Sequence, residues 1–477
     1  MQLAPADEAR RGAVLIQLGG ALWRAAEGER ARERYLEAAS VARATGDAEL
    51  LARAAMGFGV WDQDDRVDEV LVRLLEEALA RLDPADSALR ARVMGRLARE
   101  LRFVEHWERL EELSHGAVEM ARRVGDTQAL GDALVARHWA LWGPENTEDR
   151  FAAAVEIVKL AESIDYPTLL LQGHQFRLAD LLELGDIRGV DLEIDAIAWL
   201  ADELHRPQHQ WFVAVFRAMR AHMNGRFDEA EQLAKKALAI GERVHRETAV
   251  GWYGVQTAAL QRAQGRLDEA ATALQIFRKQ YPWVPTWRCE YALALALLGR
   301  EAEARAEFDE IAVGGFEDLR RDLTWLTAVA FLAETAAILG DRDRAATLYD
   351  LLLPHASRTV SVSPGVACYG SVARYLGRLA TTLGRDDAAA AHFEAAIAAN
   401  SRLGARPYLA ESQADFAALL ATQPGGRDRA RELAGLASAT AADLGMAPLI
   451  ARLREVERDL GAARKPARAP SRPARRR

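Results

Sequence analysis

The sequence predicts an all-α protein, a right-handed α-solenoid of about eleven helical hairpins closed by one further helix. Three observations predict this fold. A short motif recurs about every 40 residues, the apolar residues between its copies follow the 3.6-residue period of an amphipathic helix, and alternating strand patterns of useful length are absent. Because one hairpin cannot bury its apolar stripe alone, neighbouring hairpins are expected to stack around a concave inner surface.

The recurring motif marks the turn inside each hairpin. It consists of a glycine, a four-residue polar link and a small apolar residue near the start of the second helix. Its seven in-phase copies begin at Gly185, Gly225, Gly265, Gly299, Gly340, Gly384 and Gly425. A glycine at this position supplies the left-handed conformation that ends a helix. The Gly-x-x-[Asp/Glu]-x-Ala pattern favours tetratricopeptide-like hairpins, with a period near 40 in place of the usual ~34 residues.

A second landmark lies half a period away, where the second helix of each hairpin ends. It is seen at Gly46, Gly125, Asp165, His205, His245, Gly404 and Gly445. We therefore expect residues 1–461 to form one solenoid, with its closing helix near 446–460. Two joints, 314–322 and 355–366, are longer than the others and are expected to form loops on one face. The Pro-, Ala- and Arg-rich composition of 462–477 predicts a disordered basic tail.

Composition indicates a globular protein, which we expect to be cytoplasmic. Half of the residues are hydrophobic and 28% are charged, and no window holds the ~18 uninterrupted apolar residues that a membrane span needs. The first residues include acids where a secretory signal peptide is basic. Two cysteines, Cys289 and Cys368, cannot build a disulfide framework or a cysteine-based zinc site. The formal charge of −8 hides an asymmetry, because the tail carries seven basic residues and no acid.

The search for catalytic motifs is negative, and the sequence predicts a protein that is not an enzyme and needs no cofactor. The chain has no Gly-x-x-x-x-Gly-Lys-[Ser/Thr] loop, no dinucleotide-binding glycine pattern, no His-Glu-x-x-His pair and no Gly-x-Ser-x-Gly elbow. A metal site is not expected either, because His138 and His174 lack a third ligand at a fitting spacing.

Aromatic residues beside polar or basic ones give the candidate binding residues. Seven of the eleven tryptophans fall between residues 139 and 287, several of them on the first helix of a hairpin. First helices usually line the concave face of such a solenoid, so a spacing of one repeat brings them into a common groove that suits a peptide or a small polar ligand. The candidates are Arg137, His138, Trp142, His174, Arg177, Trp211, Trp252, Trp287 and Arg288. The alternative for the aromatic residues is ordinary packing between helices.

Several stretches carry a resemblance to a known family. They include RHWALWGPENTEDRFAAAVEIVKLAE (137–162), LLLQGHQFRLADLLELGDI (169–187) and YPWVPTWRCEYALALALLGREAEARAEF (281–308), and later ones at 314–326, 339–354, 368–412 and 426–446. In their order they resemble the MalT-like tetratricopeptide region of large bacterial ATP-dependent regulators. In that family the region follows a signal-transduction ATPase. It is paired with a LuxR-type helix-turn-helix or an adenylate/guanylate cyclase domain.

The resemblance implies a sensor and oligomerisation arm of a bacterial regulatory system. We expect the solenoid to bind a protein segment or a small effector on its concave face, and the bound state to bias an attached or partner ATPase or cyclase. The sequence contains no Walker motif and no helix-turn-helix module. The alternatives are a fragment of a longer ATPase or cyclase whose catalytic domain lies outside this chain, and a nucleic-acid-associated regulator that acts through the basic tail.

Overall fold

The computed structural model describes residues 5–25, 27–59, 68–101, 107–316, 319 and 321–461. Within these ranges the chain forms 23 α-helices and one two-stranded antiparallel sheet. The first eleven helices are α1 Pro5–Arg24, α2 Gly28–Thr45, α3 Ala48–Phe58, α4 Glu69–Arg81, α5 Ala88–Leu101, α6 Trp107–Val124, α7 Thr127–Ala140, α8 Thr147–Ser163, α9 Pro167–Leu184, α10 Ile187–Leu204 and α11 Pro207–Met223. The others are α12 Phe227–Gly241, α13 Arg246–Gln264, α14 Leu267–Gln280, α15 Pro285–Leu297, α16 Glu301–Ile311, α17 Trp325–Leu339, α18 Arg342–Leu352, α19 Val372–Leu383, α20 Asp386–Arg402, α21 Arg406–Thr422, α22 Arg427–Leu444 and α23 Ala447–Gly461.

The predicted all-α solenoid of stacked helical hairpins is confirmed. Each helix packs against the next, so that α1 to α22 form eleven hairpins and α23 closes the stack. All seven motif glycines have a positive φ, between 65° and 83°. Asp165 and His205 hold the same left-handed conformation, at 51° and 50°, where the second landmark replaces glycine with another residue.

Small side chains and polar caps explain how these hairpins pack and end. In α12, for example, Ala230, Ala234 and Ala237 form the buried stripe, and such small residues let neighbouring helices approach closely. Aspartates in the turns cap the helices that follow. The carboxylate of Asp126 accepts a hydrogen bond from the backbone N–H of Ala129, and Asp341 caps α18 in the same way. Each such cap stabilises its helix by about 1 kcal/mol.

One of the two long joints folds differently from the prediction. Residues 355–366 do not form a surface loop. They belong to a β-hairpin whose strands are β1 Thr359–Val362 and β2 Ala367–Ser371, preceded by one turn of 3-10 helix at Leu353–His355. The hairpin is buried, with Val360, Val366 and Tyr369 fully inaccessible. Both of its faces are covered by helices, and an alternating apolar pattern is therefore not needed.

The β-hairpin fills the inside of the superhelix. Strand β1 packs on α9 and α17, and β2 packs on α11, α13 and on α19 to α21. The turn between the strands holds a cis peptide bond before Pro364, and Gly365 at φ 101° lies against Leu178 and Phe216. In the other long joint, at 314–322, residues 317, 318 and 320 lie outside the described residues. The predicted tail at 462–477 also lies outside them.

Hairpins far apart in sequence also touch, so the superhelix closes on itself. Tyr408 of α21 packs edge-on against His222 of α11, with ring centroids 6.0 Å apart. Leu444 lies over Gly225, and Pro448 lies over Gly265. At the other edge Arg358 forms a salt bridge to Glu148 at 2.6 Å, and Arg321 forms another to Glu145. No helix in the described ranges is long and apolar enough to span a bilayer.

A buried charge network holds the last hairpins together. Arg374 of α19 is 1% exposed and lies 3.2 Å from Glu334, 3.0 Å from Glu411 and 2.8 Å from Asp415. Glu334 also contacts Arg378 at 2.7 Å and Arg262 at 3.8 Å, and Asp415 contacts Arg452 of α23 at 3.2 Å. The network therefore links α13 and α17 to the closing helix.

Candidate functional site

A cavity of about 440 Å³ lies on the inner side of the solenoid. This volume falls in the range of small-molecule sites. Its walls are formed by the first helices of successive hairpins, α5, α7, α9, α11, α13, α15 and α17, and by the turns that precede some of them. The β-hairpin forms the remaining wall through Val362, Ser363, Pro364 and Tyr369. The cavity thus lies between two sides of the superhelix and is partly open to solvent.

The 40-residue period places equivalent positions side by side in this cavity. Thr168, Gln208 and Thr248 line it at intervals of 40 residues, and so do Gln172, Phe212 and Trp252. Each set comes from the same position of three successive first helices. The repeat therefore builds the wall directly, because stacked hairpins present corresponding side chains to the same surface.

Aromatic rings make up most of the apolar wall, and each is supported from behind. Trp142 lies 4.6 Å from Trp139, between ring centroids, and 5.9 Å from Phe176. Trp252 stacks on the buried Trp211 at 4.7 Å, and Trp287 stacks on Phe277 at the same distance. The indole Nε1–H of Trp142 donates a hydrogen bond to Ser363 Oγ at 3.3 Å. Packed from both sides, these rings give the cavity a fixed shape.

Several polar atoms in the wall have no hydrogen-bond partner within the part of the chain that the structure describes. They are Gln175 Nε2, Thr286 Oγ1 and both ring nitrogens of His209. Burial, together with nearby Arg206, lowers the pKa of His209 and favours its neutral ring. An unpaired buried polar atom costs about 1–3 kcal/mol. Their convergence on one cavity gives a ligand several hydrogen-bonding groups to satisfy.

Glu290 is the buried acid of the cavity. It is 6% exposed, and it forms no salt bridge with any described residue. Burial raises the pKa of its carboxyl to about 7, although Arg262 and the Tyr369 hydroxyl both act to lower it. Burial also raises the pKa of Tyr369 well above its ordinary value, which keeps the phenol protonated. Glu290 can therefore accept or release a proton near neutral pH.

The raised pKa of Glu290 makes stability depend on pH. The folded protein holds this proton more tightly than the unfolded chain, whose glutamate pKa is 4.5. The stabilisation that comes from this bound proton is therefore fully present below pH 4.5 and is lost as the pH rises through about 7. The free energy of unfolding changes by about 3 kcal/mol in total. We expect Glu290→Gln to remove this loss, measured as the change in thermal midpoint between about pH 5 and about pH 8. Glu247→Gln, at an exposed cavity residue, should behave as the wild type; equal losses in all three proteins would contradict the prediction.

Three of the nine predicted binding residues line the cavity: Trp142, Trp252 and Trp287. Trp211 lies behind the wall and is 1% exposed. His138 is fully buried, stacked on Phe176 at 3.8 Å and hydrogen-bonded to Asp180 at 2.9 Å. Trp211 and His138 thus pack between helices, which is the alternative to a binding role.

The other four predicted residues point to acids of neighbouring helices. Arg137 pairs with Glu111 of α6. His174 and Arg177 share Glu193 of α10, at 2.5 Å and 2.8 Å. Arg288 pairs with Glu307, at 2.9 Å, and with Glu310 of α16. These basic side chains join helices and lie outside the cavity.

Among the described residues, His138 and His174 are not part of a group of side chains that could hold a metal ion. Across the described ranges, no three His, Cys, Asp or Glu side chains are grouped as a metal ion would require. Cys289 and Cys368 are buried and unpaired, and burial raises the pKa of both thiols to about 12. Thiols of this kind are unreactive near neutral pH.

Comparison with known proteins yields structural likenesses alone. No family model and no curated protein sequence matches the chain. It is similar to a Signal Transduction ATPase with Numerous Domains that has a tetratricopeptide repeat sensor, from Pyrococcus horikoshii, at 12% identity and a TM-score of 0.36, over 72% of this chain and 52% of that one. It is also similar to yeast Tom70 (12%, 0.38, 89% and 99%) and to Cut9 of the APC/C hetero-tetramer Cut9–Hcn1 (13%, 0.35, 94% of each chain). At these values the likenesses carry no information about a ligand or partner.

Proposed function

We propose that this chain is a non-catalytic sensor module that binds a small effector in this cavity. The observation that carries the proposal is the cavity itself, about 440 Å³ with a supported aromatic wall and unpaired polar atoms. A few fixed polar groups in a largely apolar, preformed pocket are typical of small-molecule sites. The β-hairpin favours an effector over a protein segment, because it already occupies the inner surface on which a segment would lie.

The regulatory part of the proposal rests on the sequence resemblance. In it, the solenoid serves a bacterial regulatory system in which an ATPase, a cyclase or a LuxR-type module gives the output. The cavity walls come from α7, α9, α11 and α13 on one side and from α17 and the β-hairpin on the other. A ligand that contacts both sides favours one superhelical curvature over another. That preference would act on a protein partner, or on a second copy of the chain, held at the outer surface.

Filling the cavity with a side chain should abolish ligand binding. Gly251 of α13 lines the cavity, and a Cβ added there would meet no atom within 4 Å. We expect aromatic fragments to raise the thermal midpoint of the wild type. At a hundredfold excess over Kd the bound fragment should add about 2.7 kcal/mol to the free energy of unfolding. Gly251→Trp should fold but show no such shift in a thermal-shift screen.

Gly435 provides the matched control. It is also a helical glycine with open space at its Cβ, but it is exposed on α22 and remote from the cavity. Gly435→Trp should keep the fragment-dependent shift. Fragments that stabilise both variants equally would place their binding elsewhere and contradict the proposed function.

A further inference from the structure

Glu290 presents a carboxyl without a salt-bridge partner among the described residues to a cavity whose other walls are mostly aromatic. It lies on α15, three residues after Trp287 and four after Thr286, so the carboxyl, the indole and the unpaired hydroxyl occupy one side of the helix. The Tyr369 hydroxyl of β2 stands beside it. A buried carboxylate is stable when a positive group or several hydrogen bonds compensate it.

We propose that the effector is an organic cation with an aromatic body, whose ammonium group binds Glu290 and whose body lies against Trp142, Trp252 and Trp287. This inference rests on the proposed function, since it identifies the ligand of the same cavity. The faces of tryptophan rings carry partial negative charge and attract cations within about 6 Å of the ring centre. The aromatic wall and the carboxyl therefore select the same sign of charge.

No described residue forms a salt bridge with Glu290, although the positive charge of Arg262 acts to lower the pKa of its carboxyl. Arg262 of α13 lies over the rings of Phe331 and Tyr369, at 5.7 Å and 5.1 Å, and forms its salt bridge with Glu334. Arg99 of α5 lies over the ring of Trp139, at 5.7 Å.

The remaining titratable groups of the cavity do not change the preference for a cationic ligand. Arg206 and Glu247 are both exposed and of opposite sign. His209 is held in its neutral form by burial. An anion would instead meet the Glu290 carboxyl at close range, in surroundings of low polarity where like charges repel strongly.

Three probes of one size and different charge test the inference. Phenethylamine is a cation, 2-phenylethanol is neutral and phenylacetate is an anion, and their affinities can be measured by titration calorimetry. At about pH 8 we expect the amine to bind about tenfold more tightly than the alcohol, and phenylacetate to bind most weakly. Between about pH 6 and about pH 8 the affinity for the amine should rise about tenfold as Glu290 ionises, while that for the alcohol stays constant.

Two variants assign the preference to one carboxyl. Glu290→Gln should bind the amine and the alcohol alike, and its retained alcohol binding would show that the cavity is still folded. Glu303→Gln, at an exposed position of α16 outside the cavity, should keep the preference for the amine. If the alcohol or phenylacetate binds wild type as tightly as the amine, the ligand class is wrong and the proposed small-molecule site stands. If none of the three binds at millimolar concentration and the fragment screen also fails, both proposals are wrong.

Discussion

Arg374→Met is expected to lower the free energy of unfolding by about 3–5 kcal/mol, because three carboxylates, two of them less than a tenth exposed, lose their common partner. The Arg374 guanidinium lies within 3.2 Å of Glu334, Glu411 and Asp415, and its side chain is 1% exposed. Methionine fills similar space but cannot compensate these charges. Thermal unfolding followed by far-UV circular dichroism should show a much lower midpoint, or no cooperative transition.

An exposed arginine gives the control for this experiment. Arg431 of α22 pairs with Asp428 one turn away, and both side chains are more than half exposed. Such surface pairs contribute about 0–1 kcal/mol. Arg431→Met should therefore leave the midpoint almost unchanged. Equal midpoints for the two variants would mean that the buried network contributes nothing to stability.

Trp211→Ala is expected to cost about 3–5 kcal/mol in the free energy of unfolding. Trp211 is 1% exposed, stacks on Trp252 and Phe212, and lies over Gly241, where an added Cβ would come within 2.7 Å of its ring nitrogen. Truncation leaves a void behind the cavity wall, and the wall loses its support. Ligand affinity should fall together with stability, as measured by chemical denaturation and by fragment binding to the same preparation.

Trp199 is the matched control, since it is a tryptophan on a neighbouring hairpin but is 63% exposed. Trp199→Ala should change stability by less than about 0.5 kcal/mol and leave ligand binding intact. The prediction fails if Trp211→Ala retains wild-type stability and loses binding alone, because Trp211 would then contact the ligand directly.

The period of the sequence was sufficient to predict the hairpins, their number and the closing helix. It also located the helix ends at Asp165 and His205, which hold the left-handed conformation of the landmark glycines, whereas His245 at the next such position has φ −154° and caps α13. Applied strictly, the period also identifies part of the cavity. A step of 40 residues back from Trp252 reaches Phe212, which lines the cavity, and not the adjacent Trp211, which points into the core about 100° around the helix.

Other features of the site depend on contacts that no local pattern contains. The amide of Gln256 donates to the carbonyl of Val366 at 2.9 Å, across 110 residues of sequence, and Trp142 reaches Ser363 across 221 residues. The sequence also does not show that the basic candidates lie outside the cavity, for a related reason. A lone arginine or histidine on a first helix indicates an acid nearby, but the sequence alone does not show whether that acid belongs to a ligand or, as with Glu193, to the adjoining helix.

The buried β-hairpin has a mechanical consequence. A solenoid in which hairpins touch only their neighbours behaves as a spring, since bending is absorbed a little at each joint. Here residues 359–371 act as a strut that ties α9, α11 and α13 to α17 and α21. The superhelix cannot lengthen or twist locally unless the β-hairpin loses its buried contacts with these helices. A strain applied at one wall should therefore be carried across the whole turn with little loss, as in a rigid lever rather than a spring.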